Sequence, residues 1–133
     1  MQLQGLRTAL ASLVAMQIVL GIATTAIVGT RTGTGYLFSS RENKDVDLTT
    51  GVVGRMHRAR VNNFEALTYF TPTVVVVVLA EASTATTVVA GWTFVAARIA
   101  YIFCYALDLT PWRTYVWTVG IVAIATMLGS TLL

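Results

Sequence analysis

The sequence predicts an all-α membrane protein, a single domain of four transmembrane helices packed as a left-handed antiparallel bundle. Its 133 residues are 56% hydrophobic and 11% charged, with mean hydropathy +0.72, whereas soluble domains carry about 25% charged residues. Several apolar runs approach the roughly 20 residues that span a bilayer as a helix. The alternation of a transmembrane β-barrel is absent, and helices satisfy their own backbone groups in lipid. These observations define the fold class.

Four apolar segments are predicted to form the helices, at about residues 6–30, 53–80, 87–107 and 112–132. The first is longer than the apolar region of a signal peptide, so a retained span is favoured over a cleaved leader. The long connection, about 31–52, is rich in Gly, Ser, Thr and charge and is expected to be a cytoplasmic loop. The other connections are short and make successive helices antiparallel neighbours. Pro72 is expected to kink the second helix.

The lysines and arginines are distributed unevenly and predict an orientation. One side carries Arg31, Arg41, Lys44, Arg55, Arg58, Arg60 and Arg113, whereas the opposite side carries Arg7 and the terminal amine. The positive-inside rule then places the first and third connections in the cytoplasm and both termini outside. In a bacterium the membrane would be the inner one.

Two classes of ligand are disfavoured by composition. The formal net charge is +3, but the charges are few and alternate with apolar runs, so nucleic-acid binding is not expected. His57 is the only histidine and Cys104 the only cysteine, so neither a histidine-based nor a cysteine-rich metal site is predicted.

A polar stripe marks the start of the second helix. It consists of Arg55, Arg58, Asn62 and Glu65, which fall within an arc of about 80° on a helix. Fifteen uncharged residues separate Glu65 from Glu81, about 22 Å of helix, less than the roughly 30 Å hydrocarbon core. Glu65 therefore lies at or inside the membrane boundary, where an unpaired carboxylate costs several kcal/mol. A merely solvated face is the alternative.

Three polar residues lie off this stripe. Arg60, His57 and Asn63 are expected to anchor the helix end at lipid headgroups, since long cationic side chains extend toward phosphates.

A matching stripe is predicted on the third helix. Its members share the spacing of the first stripe and are Arg98, Tyr101, Tyr105 and Asp108. Arg98 lies mid-span, where an unpaired charge is costly and often functional. Glu65 is its expected partner, with Glu81 as the alternative, and a structural buried pair is the simpler interpretation. The tyrosines could instead belong to an interfacial aromatic belt.

The fourth helix is predicted to begin at Pro111, which suits the first helical turn. Arg113 and Thr114 follow in that turn, where a cation gains nothing from the helix dipole. Arg113 either follows the positive-inside rule or is kept for an anionic ligand.

The predicted cytoplasmic end of the bundle thus gathers several arginines, one glutamate, an amide and hydroxyls. Arg55, Arg58 and Arg113, with Arg31 as a further candidate, would bind carboxylates in bidentate fashion. Glu65 would bind an amine. This inventory suits a small zwitterion that carries more than one carboxylate.

Two segments resemble the family of membrane-associated proteins in eicosanoid and glutathione metabolism (MAPEG). "RMHRARVNNFE" is similar to its R-x-x-R-A-x-x-N-x-x-E signature, and "AARIAYIFCYALDLTPWRTYVW" is similar to its helix-three to helix-four segment. The turn "DLTPWRT" looks more like bacterial members than mammalian synthases. The resemblance implies a homotrimer in membrane lipid, with glutathione as co-substrate bound between subunits near the cytoplasmic side.

The resemblance also implies roles for individual residues. Glutathione would be held from helix two by Arg55, Arg58, Asn62 and Glu65, and from a neighbouring subunit by Tyr101, Tyr105 and Arg113. Arg98 and Arg31 complete the predicted binding set. Arg113 or Thr114 matches the position near the thiol and is the catalytic candidate.

The implied reaction is glutathione transfer to a lipophilic electrophile, or reduction of a lipid hydroperoxide, with the second substrate arriving from the bilayer. A non-catalytic lipid-binding or scaffold protein of the same fold is the alternative. A small channel fits poorly, because helices one and four have little polar lining apart from Gln17 and scattered Thr and Ser.

Overall fold

A computed structural model describes residues 1–40 and 47–132 of the chain. Its helices are α1 (Gln2–Thr32), α2 (Thr34–Leu37), α3 (Gly51–Leu79), α4 (Ala85–Ala106) and α5 (Thr110–Gly129). These residues contain no strand, which confirms the all-α prediction. The one-turn helix α2 lies inside the connection expected to be a loop. Arg41 and Lys44, used above to predict orientation, lie outside the described residues.

The four long helices alternate in direction. The start of α1 lies against the start of α4, since a Cβ added to Gly5 would approach Val88 Cγ1 to 2.7 Å. Small residues permit such close approach between membrane helices. α3 runs antiparallel to α4, with the rings of Phe70 and Phe94 stacked at 4.7 Å in the core. Within the described chain α1 contacts α3 and α4, whereas α5 packs on α4 and α3.

Short, well-capped turns join α3 to α4 and α4 to α5. Glu81 and Asp108 adopt positive φ angles of 54° and 57° just beyond the ends of α3 and α4. At both ends a backbone N–H reaches five residues back, from Ala82 to the Val77 carbonyl and from Leu109 to the Cys104 carbonyl. These are Schellman motifs, which usually carry glycine at the positive-φ position. At the start of α4, the side-chain oxygens of Thr84 and Thr87 each accept a hydrogen bond from the other residue's backbone N–H, which forms a capping box.

The core face of α3 has a regular spacing that includes one polar residue. Its fully or largely buried positions include Ala59, Asn63, Ala66, Phe70 and Val77, a repeat of three and four residues that is typical of packed helices. Asn63 is 0% exposed. The prediction that it anchors the helix at lipid headgroups is therefore wrong, because its spacing points it into the bundle.

The Asn63 side chain is held by α1. Asn63 Nδ2 donates a hydrogen bond to Gln17 Oε1 at 2.8 Å, and Gln17 Nε2 donates to the Arg60 carbonyl at 3.4 Å. Buried amides that join two helices fix their relative register. This pair therefore sets how α3 is rotated against α1.

α3 continues as a helix through Pro72 to Leu79. Among the described residues, two helices qualify as membrane spans by length and apolar composition, α1 and α4. α3 carries the polar stripe in its first half, and α5 begins with Pro111, Trp112 and Arg113, so in both helices the beginning is less apolar than the remainder.

Candidate functional site

A chain of polar and aromatic contacts connects α3, α4 and α5 at the end of the bundle where α3 begins. Its first link lies on α3, where Asn62 Nδ2 donates to Glu65 Oε2 at 3.4 Å. The second crosses to α4, where Arg98 Nη2 donates to Asn62 Oδ1 at 2.5 Å. The Asn62 amide therefore stands between the cation and the carboxylate.

The same chain of contacts continues along α4 to α5. The Arg98 guanidinium lies over the Tyr101 ring at 4.3 Å from its centroid. Tyr101 and Tyr105 meet edge to face, with centroids 5.2 Å apart, and the Arg113 guanidinium lies 4.8 Å from the Tyr105 centroid. Both cations thus occupy cation–π positions, each worth about 0.5–2 kcal/mol.

Arg98 is the most deeply buried charge in the described chain, at 3% exposure. The expected direct ion pair with Glu65 is not formed, so that prediction is wrong. The Asn62 amide lies between the two side chains and accepts the hydrogen bond from Arg98. The alternative partner, Glu81, lies beyond the far end of α3. Arg98 Nε has no hydrogen-bond partner within the protein. A hydrogen-bonded amide and an aromatic face therefore contact this charge directly, and the Glu65 carboxylate lies on the other side of the amide.

Six of the predicted site residues form this chain of contacts, which we call the polar relay: Glu65, Asn62, Arg98, Tyr101, Tyr105 and Arg113. Tyr101 is 6% exposed, which argues against an interfacial belt position for that residue. Glu65 is exposed and Arg113 half-buried, so the two ends of the relay are open to a ligand.

The other four predicted site residues lie outside the polar relay. Arg58 is exposed, and its Nη1 donates to the Thr49 carbonyl at 2.8 Å. Arg55 is half-buried, and its Nε has no partner in the protein. Arg31 lies exposed in the last turn of α1, and Thr114 is exposed in the first turn of α5. Their functional roles stay predictions.

Two cavities adjoin the polar relay. A small one of about 30 Å³ lies between α3, α4 and α5 and is lined in part by Asn62, Glu65 and Arg98; it has room for about two water molecules. A larger apolar groove of about 500 Å³ runs between α3 and α5 past Pro72. Tyr69 and Trp117 line both spaces, so polar and apolar surfaces meet there.

Sequence reasoning missed Trp117 and Asn63. Trp117 lies one turn after Arg113, and this position in the sequence gives no sign of the cavity that it lines. For Asn63 a signal existed, because its spacing from Ala59, Ala66 and Phe70 matches the core face of α3.

The helices and the site together define a membrane four-helix bundle that carries an arginine–amide–tyrosine relay at one end. The sequence matches the MAPEG family over residues 7–133. The chain therefore belongs to the MAPEG family and is an integral membrane protein. No curated protein and no solved structure gives a significant match.

Membership in this family implies the four-helix membrane bundle predicted from the sequence. Members are generally membrane-bound, glutathione-dependent transferases or peroxidases and are commonly trimeric. The bacterial type, the homotrimer, the left-handed twist and the outward termini stay predictions for this chain.

Proposed function

We propose that this protein is a glutathione-dependent transferase or peroxidase that acts on lipophilic electrophiles or lipid hydroperoxides. The observation that carries the proposal is the polar relay, in which a carboxylate and a cation stand at opposite, accessible ends of one preformed network. Glutathione has two carboxylates, one amine and one thiol. It matches the charges of the relay together with the nearby arginines of α3.

The binding roles follow from charge. Glu65 would accept hydrogen bonds from the glutathione amine, and Arg55 and Arg58 would bind its carboxylates through bidentate hydrogen bonds. Asn62 keeps a fixed orientation because Arg98 holds its Oδ1. Arg31 is a further candidate cation, and in the proposed homotrimer Tyr101, Tyr105 and Arg113 of a neighbouring subunit would complete the site.

The catalytic role falls to Arg113, with Thr114 beside it. The thiolate is the reactive form of glutathione, and a nearby cation lowers the pKa of a thiol; each pKa unit corresponds to about 1.4 kcal/mol. Arg113 is kept in place by the Tyr105 ring. Its guanidinium would stabilise the thiolate, and the Thr114 hydroxyl could donate a hydrogen bond to the sulfur.

The apolar groove between α3 and α5 suits a lipophilic second substrate. It adjoins the small polar cavity through Tyr69 and Trp117. A hydrophobic molecule arriving from the bilayer would approach the thiolate from this side. The thiolate then displaces a leaving group or adds to an electrophilic carbon; with a hydroperoxide, two glutathione molecules become the disulfide while the hydroperoxide becomes an alcohol and water.

The decisive experiment titrates the purified protein with glutathione and follows the ultraviolet absorbance of the thiolate. We expect a thiolate signal in wild type, loss of that signal with retained binding in Arg113→Ala, and loss of binding in Glu65→Gln. Arg7→Ala is the matched control, because Arg7 is an exposed arginine at the opposite end of α1. No binding of glutathione by wild type would refute the proposal.

The burial of Arg98 favours a second candidate, a non-catalytic scaffold or lipid-binding protein. An arginine that is 3% exposed and held by Asn62 and Tyr101 stabilises the contact between α3 and α4 whether or not a ligand binds. This candidate predicts that Arg113→Ala leaves any biological phenotype intact, whereas Arg98→Ala disrupts folding or assembly.

A further inference from the structure

Arg58 is held by the backbone of the segment that precedes its own helix. Its Nη1 donates to the Thr49 carbonyl at 2.8 Å. Residues 47–50, which we call the strap, lead directly into α3. An exposed arginine at the start of a helix would otherwise sample many rotamers, so this bond restricts the direction in which the guanidinium points.

A glycine allows the strap to lie this close to α3. A Cβ added at Gly54 would stand 2.1 Å from the Thr49 oxygen and 3.2 Å from Arg58 Nη1. No real side chain tolerates the first of these distances, so any other residue must displace the strap. The sequence therefore supplies glycine at the point where the Thr49 carbonyl passes between α3 and Arg58.

Asp47 ties the strap into one conformation. Its Oδ1 accepts from the Thr49 backbone N–H at 2.7 Å and from Thr49 Oγ1 at 2.6 Å, while its Oδ2 accepts from Thr50 Oγ1 at 2.5 Å. These hydrogen bonds favour the ionised carboxylate and lower the pKa of Asp47 to about 2. The tether is therefore intact at neutral pH.

We infer that the strap is a positioning element for Arg58, which it orients to bind a carboxylate of the glutathione proposed above. The Thr49 carbonyl occupies Nη1, which leaves the Nε and Nη2 edge of the guanidinium free to form the two parallel hydrogen bonds of a carboxylate pair. Asp47 and Gly54 act on the ligand through Arg58 and not by contact. The inference rests on the proposed function and deepens it.

The test is a double-mutant cycle on glutathione affinity, measured by titration calorimetry with purified protein in detergent. Asp47→Ala removes the acceptors that tie the strap, Gly54→Ala displaces the strap, and both variants leave Arg58 in the chain. We expect each to weaken glutathione binding about three- to tenfold, which is roughly the effect of freeing one rotamer-rich side chain. In an Arg58→Ala background, neither change should alter affinity further.

Gly35→Ala is the matched control. It adds the same methyl group within the same connection, but nothing lies within 4 Å of the position. Its affinity for glutathione should equal that of wild type. If Gly54→Ala does not fold, the Asp47→Ala cycle decides alone.

The outcomes distinguish a failure of the strap's positioning role from a failure of the proposed function. If wild type binds glutathione and the strap variants weaken binding equally with and without Arg58, the strap acts on general structure and the inference fails while the proposed function stands. Tighter binding in the strap variants would also overturn it, because the strap would then compete with the ligand for Arg58. Absence of binding in wild type overturns both.

Discussion

Replacing Asn62 with leucine tests whether the buried cation of α4 depends on one amide. The change removes the acceptor of the 2.5 Å bond from Arg98 Nη2, and a hydrogen bond to a charged group contributes about 1.5–3 kcal/mol. Arg98 would remain 3% exposed with only the Tyr101 ring as partner. We expect Asn62→Leu to lower the free energy of unfolding by about 2–3 kcal/mol.

Removing the charge should reverse that loss. Arg98→Met fills much of the same space without a cation, and replacing a buried charge by an apolar group is often neutral or stabilising. We expect Arg98→Met to stay within about 1 kcal/mol of wild type. The double variant should be more stable than Asn62→Leu by about 2 kcal/mol.

The chain supplies its own reporter for this measurement. Cys104 is the only cysteine in the sequence and is buried, so a thiol-reactive fluorogenic maleimide labels it only on unfolding. Thermal and denaturant unfolding in micelles would be compared with Arg7→Met, which removes an exposed arginine. If Asn62→Leu unfolds like wild type, or if Arg98→Met fails to rescue it, the reasoning about the buried charge is refuted.

Three further changes test the packing of α1 and the connection to α3. Gly5→Ala should destabilise the α1–α4 contact by about 1 kcal/mol, because the new methyl lies 2.7 Å from Val88 Cγ1; Val88→Ala in the same chain should restore the unfolding midpoint. Asn63→Leu should cost about 1–2 kcal/mol by leaving Gln17 without its partner, and an undiminished loss in the Gln17→Leu double variant would contradict this. Asp47 has a folded pKa of about 2, below its ordinary 3.8, so its stabilising effect is present above about pH 4 and is lost as pH falls toward 2. The unfolding midpoint should therefore drop less over that range in Asp47→Asn, and equal pH profiles would exclude the tether.

Much of the fold follows from apolar length and turn residues. The short turns around Glu81 and Asp108 make α3, α4 and α5 alternate in direction, since each of these two connections is too short for any other arrangement. The one-turn helix α2 could not be predicted from "RTGTGYLFSS", because a glycine-rich segment has no local preference for it. Each of the four long helices begins two to four residues before the predicted apolar run, because hydropathy does not register polar helical turns.

The site was predicted as two stripes, and the spacing of Arg98, Tyr101 and Tyr105 was enough to align them on α4. The spacing could not tell which group on α3 meets Arg98. Charge favoured Glu65, but the geometry of the α3–α4 contact brings Asn62 within reach. The contact of Arg58 with the strap was equally hidden, because it depends on a backbone carbonyl that no side-chain pattern reveals.

The Arg98–Asn62 bond also constrains how the protein enters the membrane. α3 precedes α4 along the chain, so Asn62 is synthesised before Arg98, whose hydrogen bond it accepts. An isolated α4 would carry its cation into lipid at a cost of several kcal/mol, whereas α3 and α4 inserted together compensate it within one hairpin. Biogenesis of this bundle should therefore proceed by joint insertion of that hairpin, and no neighbouring subunit is needed to shield the charge.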